Sequence, residues 1–327
     1  MTLNPSQCMG PQSVGQKEES HGPQVKAIFR AMFEDAPPSV DVIIPVKGRV
    51  PFFLETLPTV LSQSHRPLHL IVVNDGCTSD EQETIERALD QAQLESECGG
   101  DAEKFTCECV PHAGTGAAAA RNAGFRHGNS PYVLWMDSDD WLLPDKVAYD
   151  LGRLHGTGRD FVVSRAQHRQ GDQLIDAFWG DSPSQNRPAF EFPFQTMCAL
   201  FKRSFIIESS LHWNERMAMT NDWEFSNRAL LKSDNFSFSD RVTAVYRRPN
   251  MESKSIGSVL TREKIDGQLL GIDKVLKLKK AAFGRIGWVY TAKHLRHAGF
   301  LLVEAIKRGH LRTSMRAVRS IVGVLLA

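Results

Sequence analysis

Between residues 40 and 136 the chain alternates short β-branched apolar runs with amphipathic stretches, and this alternation constrains its fold more than any other feature. The first run is Val40–Val46, followed by helical spacing over 52–62. The second, 68–73, precedes an acidic helical stretch over 79–95. The third, 105–110, precedes the Ala-rich stretch 117–126, and 132–136 is the fourth. Runs that are apolar on both faces cannot turn either face to water. They predict an α/β fold, with a mostly parallel sheet covered by helices on both sides and joined by right-handed crossovers. After residue 150 the pattern loosens. Residues 161–177 read as a hairpin turning at Gly171-Asp172 and 180–197 as a loop region containing Pro and Phe. Then 197–201 reads as a strand, 221–231 as a helix and 236–246 as a last extended stretch. Mixed elements of this kind predict a second half that closes over the parallel first half.

Composition removes several classes. At 327 residues, 42% hydrophobic and 24% charged, the chain is too long for a disulfide scaffold and too apolar to be disordered. No apolar run reaches the ~18 residues of a bilayer span, and no basic-then-apolar leader is read at the start, so the cytoplasm is the expected compartment. The six cysteines form no CxxC pair and no zinc spacing, which predicts reduced, mostly buried thiols. Residues 1–38 are polar and read as a flexible or disordered arm with a helical turn near 27–33.

Charge is unevenly distributed. From Lys254 onward there are 15 Lys/Arg against 4 Asp/Glu, which leaves 24 bases against 34 acids in the rest. This basic tail is helical by pattern. Ile265, Leu269, Ile272, Val275 and Leu276 share one stripe, and 288–306 and 315–326 form two further helices. The tail is either a solvated face or a surface that meets something anionic. Arg312, Arg316 and Arg319 beside Ile321, Val322 and Leu325 suit peripheral contact with an anionic membrane on its cytoplasmic face. Packing on the body or on a second subunit is the other reading.

Ligands of open parallel sheets bind at the carboxyl ends of the strands, near the point where strand order reverses. The polar residues at those ends are Pro45-Val46-Lys47-Gly48, Asn74-Asp75-Gly76, His112 to Gly116, and Asp137-Ser138-Asp139-Asp140. Two carboxylates one residue apart at a strand end suit a hard divalent cation, and Arg121, on the helix after the Gly-rich turn, offers a fork of donors for phosphate or a base carbonyl. Each element alone reads otherwise: Asn-Asp-Gly as a turn, an Asp triplet as a solvated loop, Arg121 as a surface helix residue. Their succession at strand ends points to a phosphorylated ligand with a metal.

The ordered motifs 42–46, 54–63, Leu70 to Asp80, Gly116 through Ala120-Arg121-Asn122-Ala123-Gly124, and Leu134 to Asp140 resemble the nucleotide-binding half of the family 2 glycosyltransferases. The resemblance is strong over about 40–150 and weaker through Asn221-Asp222-Trp223 to about 255. It implies a GT-A, Rossmann-like mixed sheet flanked by helices, with a helical C-terminal extension. The implied domains are a catalytic domain over 39–256, divided into nucleotide-binding (39–150) and acceptor-binding (151–256) halves, and a basic extension over 257–327. It also implies a nucleotide-sugar site at Pro45, Val46, Asp75, Arg121, Asp137, Ser138 and Asp139. Asp222 is the implied catalytic base, Asn221 and Trp223 are implied on the acceptor side, and Mg²⁺ or Mn²⁺ is implied at Asp137 and Asp139.

The chemistry of these residue types agrees with that assignment. A diphosphate leaves once its developing charge is neutralised, and an opposed carboxylate can take the acceptor's proton as it attacks. Such displacement inverts the anomeric carbon. The expected activity is therefore transfer of one sugar per acceptor from a nucleoside-diphosphate sugar, with UDP the expected nucleotide, to a saccharide, lipid-linked or small-molecule hydroxyl. No nucleic acid partner is expected. The sequence departs from the family at Asn74, where Asp is usual, and at Asn250, where many members place a metal-binding histidine; His112 is an alternative ligand. The Gln-x-x-Arg-Trp signature of polymerising members is absent. Two other readings remain: a nucleotidyltransferase, disfavoured by the short Lys47 to Pro51 loop, and an inactive nucleotide-sugar-binding module. Asp222 has a plainer role open to it as well, because Asp at a helix start satisfies backbone N–H groups.

Overall fold

Val40–Val46 forms β1, and all seven of its residues are buried, as a run apolar on both faces requires. The computed structural model describes residues 37–98, 100, 104–181, 194–217, 219–248, 260–284 and 288–326. The expectations for residues 1–36, for Asn250 and for most of the 180–197 loop lie outside them. After β1 come α1 (Val50–Leu61), β2 (Leu68–Asn74), α2 (Ser79–Cys98), β3 (Phe105–Pro111), α3 (Ala117–His127) and β4 (Tyr132–Trp135). The second half continues with β5 (Trp141–Leu142), α4 (Lys146–Leu154), β6 (Phe161–Gln170), β7 (Gln173–Trp179), β8 (Ala199–Lys202), α5 (Arg203–Glu208), α6 (Asn221–Lys232) and β9 (Phe236–Arg247). Three helices follow: α7 (Arg262–Phe283), α8 (Trp288–Lys307) and α9 (Leu311–Leu325).

The strands form one sheet in the order β3-β2-β1-β4-β8-β6-β9-β5, with β7 paired to β6. β3, β2, β1 and β4 are mutually parallel. β8 then inserts antiparallel between β4 and β6, β6 and β9 run parallel, and β5 pairs antiparallel with β9. The sheet is thus mixed, parallel in its first half as the pattern predicts. The chain leaves β1 toward β2 on one side and returns to β4 on the other, so strand order reverses between β1 and β4 and a crevice opens at their carboxyl ends.

Two buried polar clusters hold the layers together. Lys146 of α4 spends its three donors on Asp150 (2.5 Å), Ser164 Oγ of β6 (2.8 Å) and the Cys198 carbonyl (2.9 Å). Ser164 also meets Thr243 of β9 at 2.6 Å. On β1, Asp41 accepts from Ser130 Oγ (2.6 Å) and Arg203 (2.6 Å) and meets His69 (3.3 Å). Burial raises the Asp41 carboxyl, but His69, Ser130 and Arg203 outweigh it and hold it below the usual range. Gly128 follows α3 there because a Cβ would stand 2.1 Å from Asp41 Oδ2.

The basic tail packs on the body. Ile265, Leu269, Ile272, Val275 and Leu276 are all buried, as their stripe predicts. Ile265, Leu269, Ile272 and Leu276 meet Leu301, Ala305, Ala317 and Val324 of α8 and α9 in one core. α7 lies against α6, where Lys274 pairs with the fully buried Glu224 at 3.1 Å. Among the described cysteines only Cys198 is fully buried; Cys77, Cys107 and Cys109 are half-buried and Cys98 is exposed, and all five are free thiols. The expectation of mostly buried thiols holds only in part, because Cys107 and Cys109 lie on β3, whose outer residues are partly open.

Candidate active site

α1 builds the floor of the crevice. Its first turn follows Arg49, a non-glycine residue in the left-handed region (φ 54°), and holds Pro51, whose missing N–H costs nothing there. Thr56, Thr59 and Gln63 recur at helical spacing on the face toward the Asp-rich turn. Thr56 Oγ1 donates to the carbonyls of Ser138 (3.0 Å) and Asp140 (2.9 Å), and Thr59 Oγ1 accepts from Leu142 N–H (3.2 Å). Gln63 bonds the Leu143 carbonyl (2.7 Å) and the Val147 N–H (3.0 Å). Two side chains of α1 and one just past its end therefore fix the backbone from 138 to 147.

β9 fixes the same turn from the other side. Arg247 donates its N–H to Asp140 Oδ1 (2.9 Å) and its Nε to the Asp139 carbonyl (3.0 Å), and its guanidinium pairs with Glu55. Asp140 is buried, and its carboxyl is pushed well up by burial and by Asp139 and Asp137, so it reads as a structural post. Sequence reasoning missed Arg247 and the α1 stripe. The stripe has a signal: polar residues at i, i+3 and i+7, running along a mostly apolar helix and just past its end. Arg247 had none beyond its place at the end of a strand.

The Asn-Asp-Gly turn after β2 is an Asx turn, as its composition predicts, with Asn74 Oδ1 accepting from Gly76 (2.9 Å) and Cys77 (2.8 Å). Asp75 is buried. Its N–H donates to the Val46 carbonyl (2.8 Å), and its Oδ1 accepts from Gly116 N–H (2.7 Å) and meets His112 Nε2 (3.2 Å). Asp75 thereby ties the ends of β1, β2 and β3 to the N-terminus of α3. Gly116 has φ 91°, a backbone that L side chains rarely adopt. His112, the alternative ligand read from sequence, is held by Asp75.

One turn into α3, Arg121 is buried and its guanidinium joins the two halves of the molecule. It pairs with Asp137 after β4, donates to Asn221 Oδ1 of α6 at 3.1 Å, and stacks 4.4 Å over Trp213. The next residue, Asn122, clamps the backbone of Trp213 through both its amide atoms at 2.9 Å. The Ala-Arg-Asn motif thus holds both the Asp turn and the segment leading to α6. Asp139 pairs with Arg49 at 3.0 Å. Burial, then the Asp137 charge, raises its carboxyl.

Asp222 stands in the first turn of α6, after Thr220 in the left-handed region (φ 56°). Its Oδ1 accepts from Trp223 N–H at 2.8 Å, so it does satisfy the helix start. Its environment does more. Trp135, Trp213 and Phe225 line the pocket beside it, with Trp213 and Phe225 stacked at 4.0 Å. Burial, with the Asp137 charge second, pushes the carboxyl up to about 6. Tyr246 of β9 feels the charges of Asp140, Asp137, Asp139 and Asp222 and is raised by burial and by all four. The acids after β4 and the acid of α6 thus share one locality.

Not every residue singled out by sequence faces the crevice. Trp223 is buried with its ring turned to α7 and α8, near Gly271 and 6.4 Å from the His294 ring. Met217 is buried against Gly271 and fills a gap. Trp135, Phe161 and Phe225 are core, as their periodic context predicts. Trp141 carries the Arg169 guanidinium 3.9 Å above its ring, and Trp179 lies 6.1 Å from Tyr246.

Among the described residues no three His, Cys, Asp or Glu side chains gather into a ready metal cage. Asp137 and Asp139 nevertheless fit a hard cation: two carboxylates, one residue apart, repel each other in a partly buried turn, each with an arginine beside it.

A family model described as Glycosyl transferase family 2 matches residues 41–206, half of the chain. The chain belongs to this family. An uncharacterized glycosyltransferase of Rickettsia bellii is 27% identical over 41% of this chain, but the match spans only 17% of that relative's length. The succinoglycan biosynthesis protein ExoO of Rhizobium meliloti is 20% identical over 86% of this chain and 81% of its own. Among solved structures, S. aureus TarS 1–349 in complex with UDP-GlcNAc superposes with TM-score 0.62 at 12% identity, over 88% of this chain and 81% of that one. The mannosyltransferase PcManGT from Pyrobaculum calidifontis, in complex with GDP-Man and Mn²⁺, gives 0.53 at 16% identity, over 93% and 92%. The fold of this family member is accordingly GT-A.

Proposed function

We propose that this chain is an inverting glycosyltransferase that moves one sugar per cycle from a nucleoside-diphosphate sugar to a hydroxyl acceptor. The observation that carries the proposal is the Arg121 guanidinium, which pairs with Asp137 and bonds the residue next to Asp222. Through it, the turn suited to a diphosphate and the carboxylate suited to a base lie within one side chain of each other. UDP is the nucleotide we favour, since TarS is described with UDP-GlcNAc; PcManGT, described with GDP-Man, makes GDP the alternative.

In this reading the donor lies across the carboxyl ends of β1, β2 and β4. Pro45 and Val46 flank the base, Asp75 and Arg121 orient the nucleotide, and Asp137 and Ser138 border the ribose and diphosphate. Asp137 and Asp139 would hold Mg²⁺ or Mn²⁺, with Asn250 outside the described residues as a further candidate ligand. The bound cation supplies charge neutralisation for the departing diphosphate. Asp222 takes the acceptor's proton, and a carboxyl raised to about 6 is a stronger base than a solvated aspartate while still ionised at neutral pH. Asn221 positions Arg121, and an acceptor-side role for it is compatible with that bond. We assign Trp223 to packing.

The test is a screen of UDP-, GDP- and dTDP-sugars for release of nucleoside diphosphate with added Mn²⁺ or Mg²⁺, followed by NMR of the product. Diphosphate release and an inverted anomer are expected. Pyrophosphate release points to nucleotidyl transfer, and a retained anomer removes Asp222 as base.

A further inference from the structure

The hairpin of α8 and α9 carries a surface that the crevice does not use. On α9, Thr313, Ala317, Ser320 and Val324 are buried against the core. Leu311, Met315, Val318, Val322 and Leu325 recur every three or four residues on nearly the opposite side, each between 46% and 74% exposed. On α8, Phe300, Val303 and Ile306 are 49% to 61% exposed. Between the helices opens a groove of about 680 Å³ whose walls are mainly Leu302, Ile306, Leu311, Met315 and Val318. Scattered single apolar residues are ordinary on a protein surface; a continuous stripe with a groove beside it is not.

Charge identifies the occupant. Arg312, Arg316 and Arg319 run along one flank of the stripe, and Lys307 and Arg308 sit at the hairpin turn, all exposed. Glu304 partners the last two and Asp266 partners Arg316, while Arg312 and Arg319 have no acidic partner among the described residues. A second copy on this face would bring two positive surfaces together, at an electrostatic cost. No described helix is long and apolar enough to cross a membrane. A helix with an apolar stripe bordered by arginines instead suits the plane of a bilayer interface, with side chains at the acyl boundary and guanidinium groups on headgroup phosphates.

We propose that the α8–α9 hairpin docks this protein on an anionic phospholipid bilayer. The surface is tied to the crevice, because α9 packs on α7 and α7 on α6, which carries Asp222. Docking therefore fixes the crevice at a set height above the lipid.

Co-sedimentation of the full chain with phosphatidylcholine vesicles, with and without phosphatidylglycerol, tests the proposal. Binding is expected only with phosphatidylglycerol and is weakened by high salt. Two double variants separate the contributions: Val318→Glu with Val322→Glu on the stripe, and Arg312→Glu with Arg319→Glu on the flank. Each pair is exposed, so thermal melting near that of the wild type is expected, with vesicle binding lowered roughly tenfold or more. Absence of wild-type binding, or equal binding by variants that melt normally, overturns the proposal. Wild-type protein that ignores vesicles and forms a dimer abolished by the stripe variant assigns the face to a second copy instead.

Discussion

Asp222 gains its basicity and loses stability from one cause. Apolar rings and the Asp137 charge disfavour its ionised form, raising its carboxyl from the ordinary value of 3.8 to about 6. An acid whose folded pKa is raised is charged at a cost at any pH above that value, so the folded state is destabilised there; the penalty fades as pH falls and the folded carboxyl takes up its proton. Asp222→Asn removes the charge. It is expected to raise the melting temperature at pH above 6, with the gain shrinking at lower pH, while turnover falls by roughly 10²–10⁴-fold. Calorimetric melts across pH, paired with diphosphate-release rates, check both. The wild-type kcat/KM profile is expected to lose activity on its acid side near pH 6 rather than near 4. A variant that is less stable at neutral pH, or that keeps its turnover, removes the base assignment.

At the scale of elements, the crevice is a turn held between a helix and a strand. Thr56 supplies the only hydroxyl recorded on the Ser138 and Asp140 carbonyls among the described residues. Thr56→Val keeps the volume and removes the donor. It is expected to cost about 1–3 kcal/mol, the penalty for buried acceptors left without a partner, and to lower turnover because the Asp turn is loosened. Chemical denaturation and initial rates read the two effects. A stability change within error would show that the turn does not need α1.

These contacts also explain which elements were legible. Residues 40–136 were readable because the strands are short apolar runs, β1 and β4 buried throughout, and the helices between them carry apolar faces. The hairpin at Gly171-Asp172 showed through its turn residues, and β6 and β7 do turn there. β5 escaped notice because two residues carry no period. α4 was hidden by Lys146 and Asp150, which look solvated in sequence and are buried in the structure as a pair. The four-residue β8 gave no hint that it would insert between β4 and β6, since only tertiary pairing decides that. At the site, acids at strand ends were visible as motifs. The side chains that aim them, Thr56, Asn122 and Arg247, were not, because their partners lie 82 to 108 residues away.

Across the whole molecule, the described residues from 37 onward form one compact unit. The basic helices are built into it rather than appended, since α7 buries Glu224 and Met217 beside the helix that carries Asp222. Leu269 is buried in the core that α7 shares with α8 and α9. Leu269→Ala is expected to destabilise by about 2–5 kcal/mol, lowering the melting temperature of the whole unit in one transition; a separate early transition would mark the helices as an independent domain. The central claim is that acids distant in sequence converge on one nucleotide and one cation. Calorimetric titration of UDP and GDP into the full chain, with and without Mn²⁺, tests it most directly, using Asp139→Asn as the comparison. Binding of one nucleotide that is strengthened by Mn²⁺ in the wild type, with that strengthening lost in Asp139→Asn, is the predicted result. Nucleotide binding that ignores both the metal and the substitution would contradict the account.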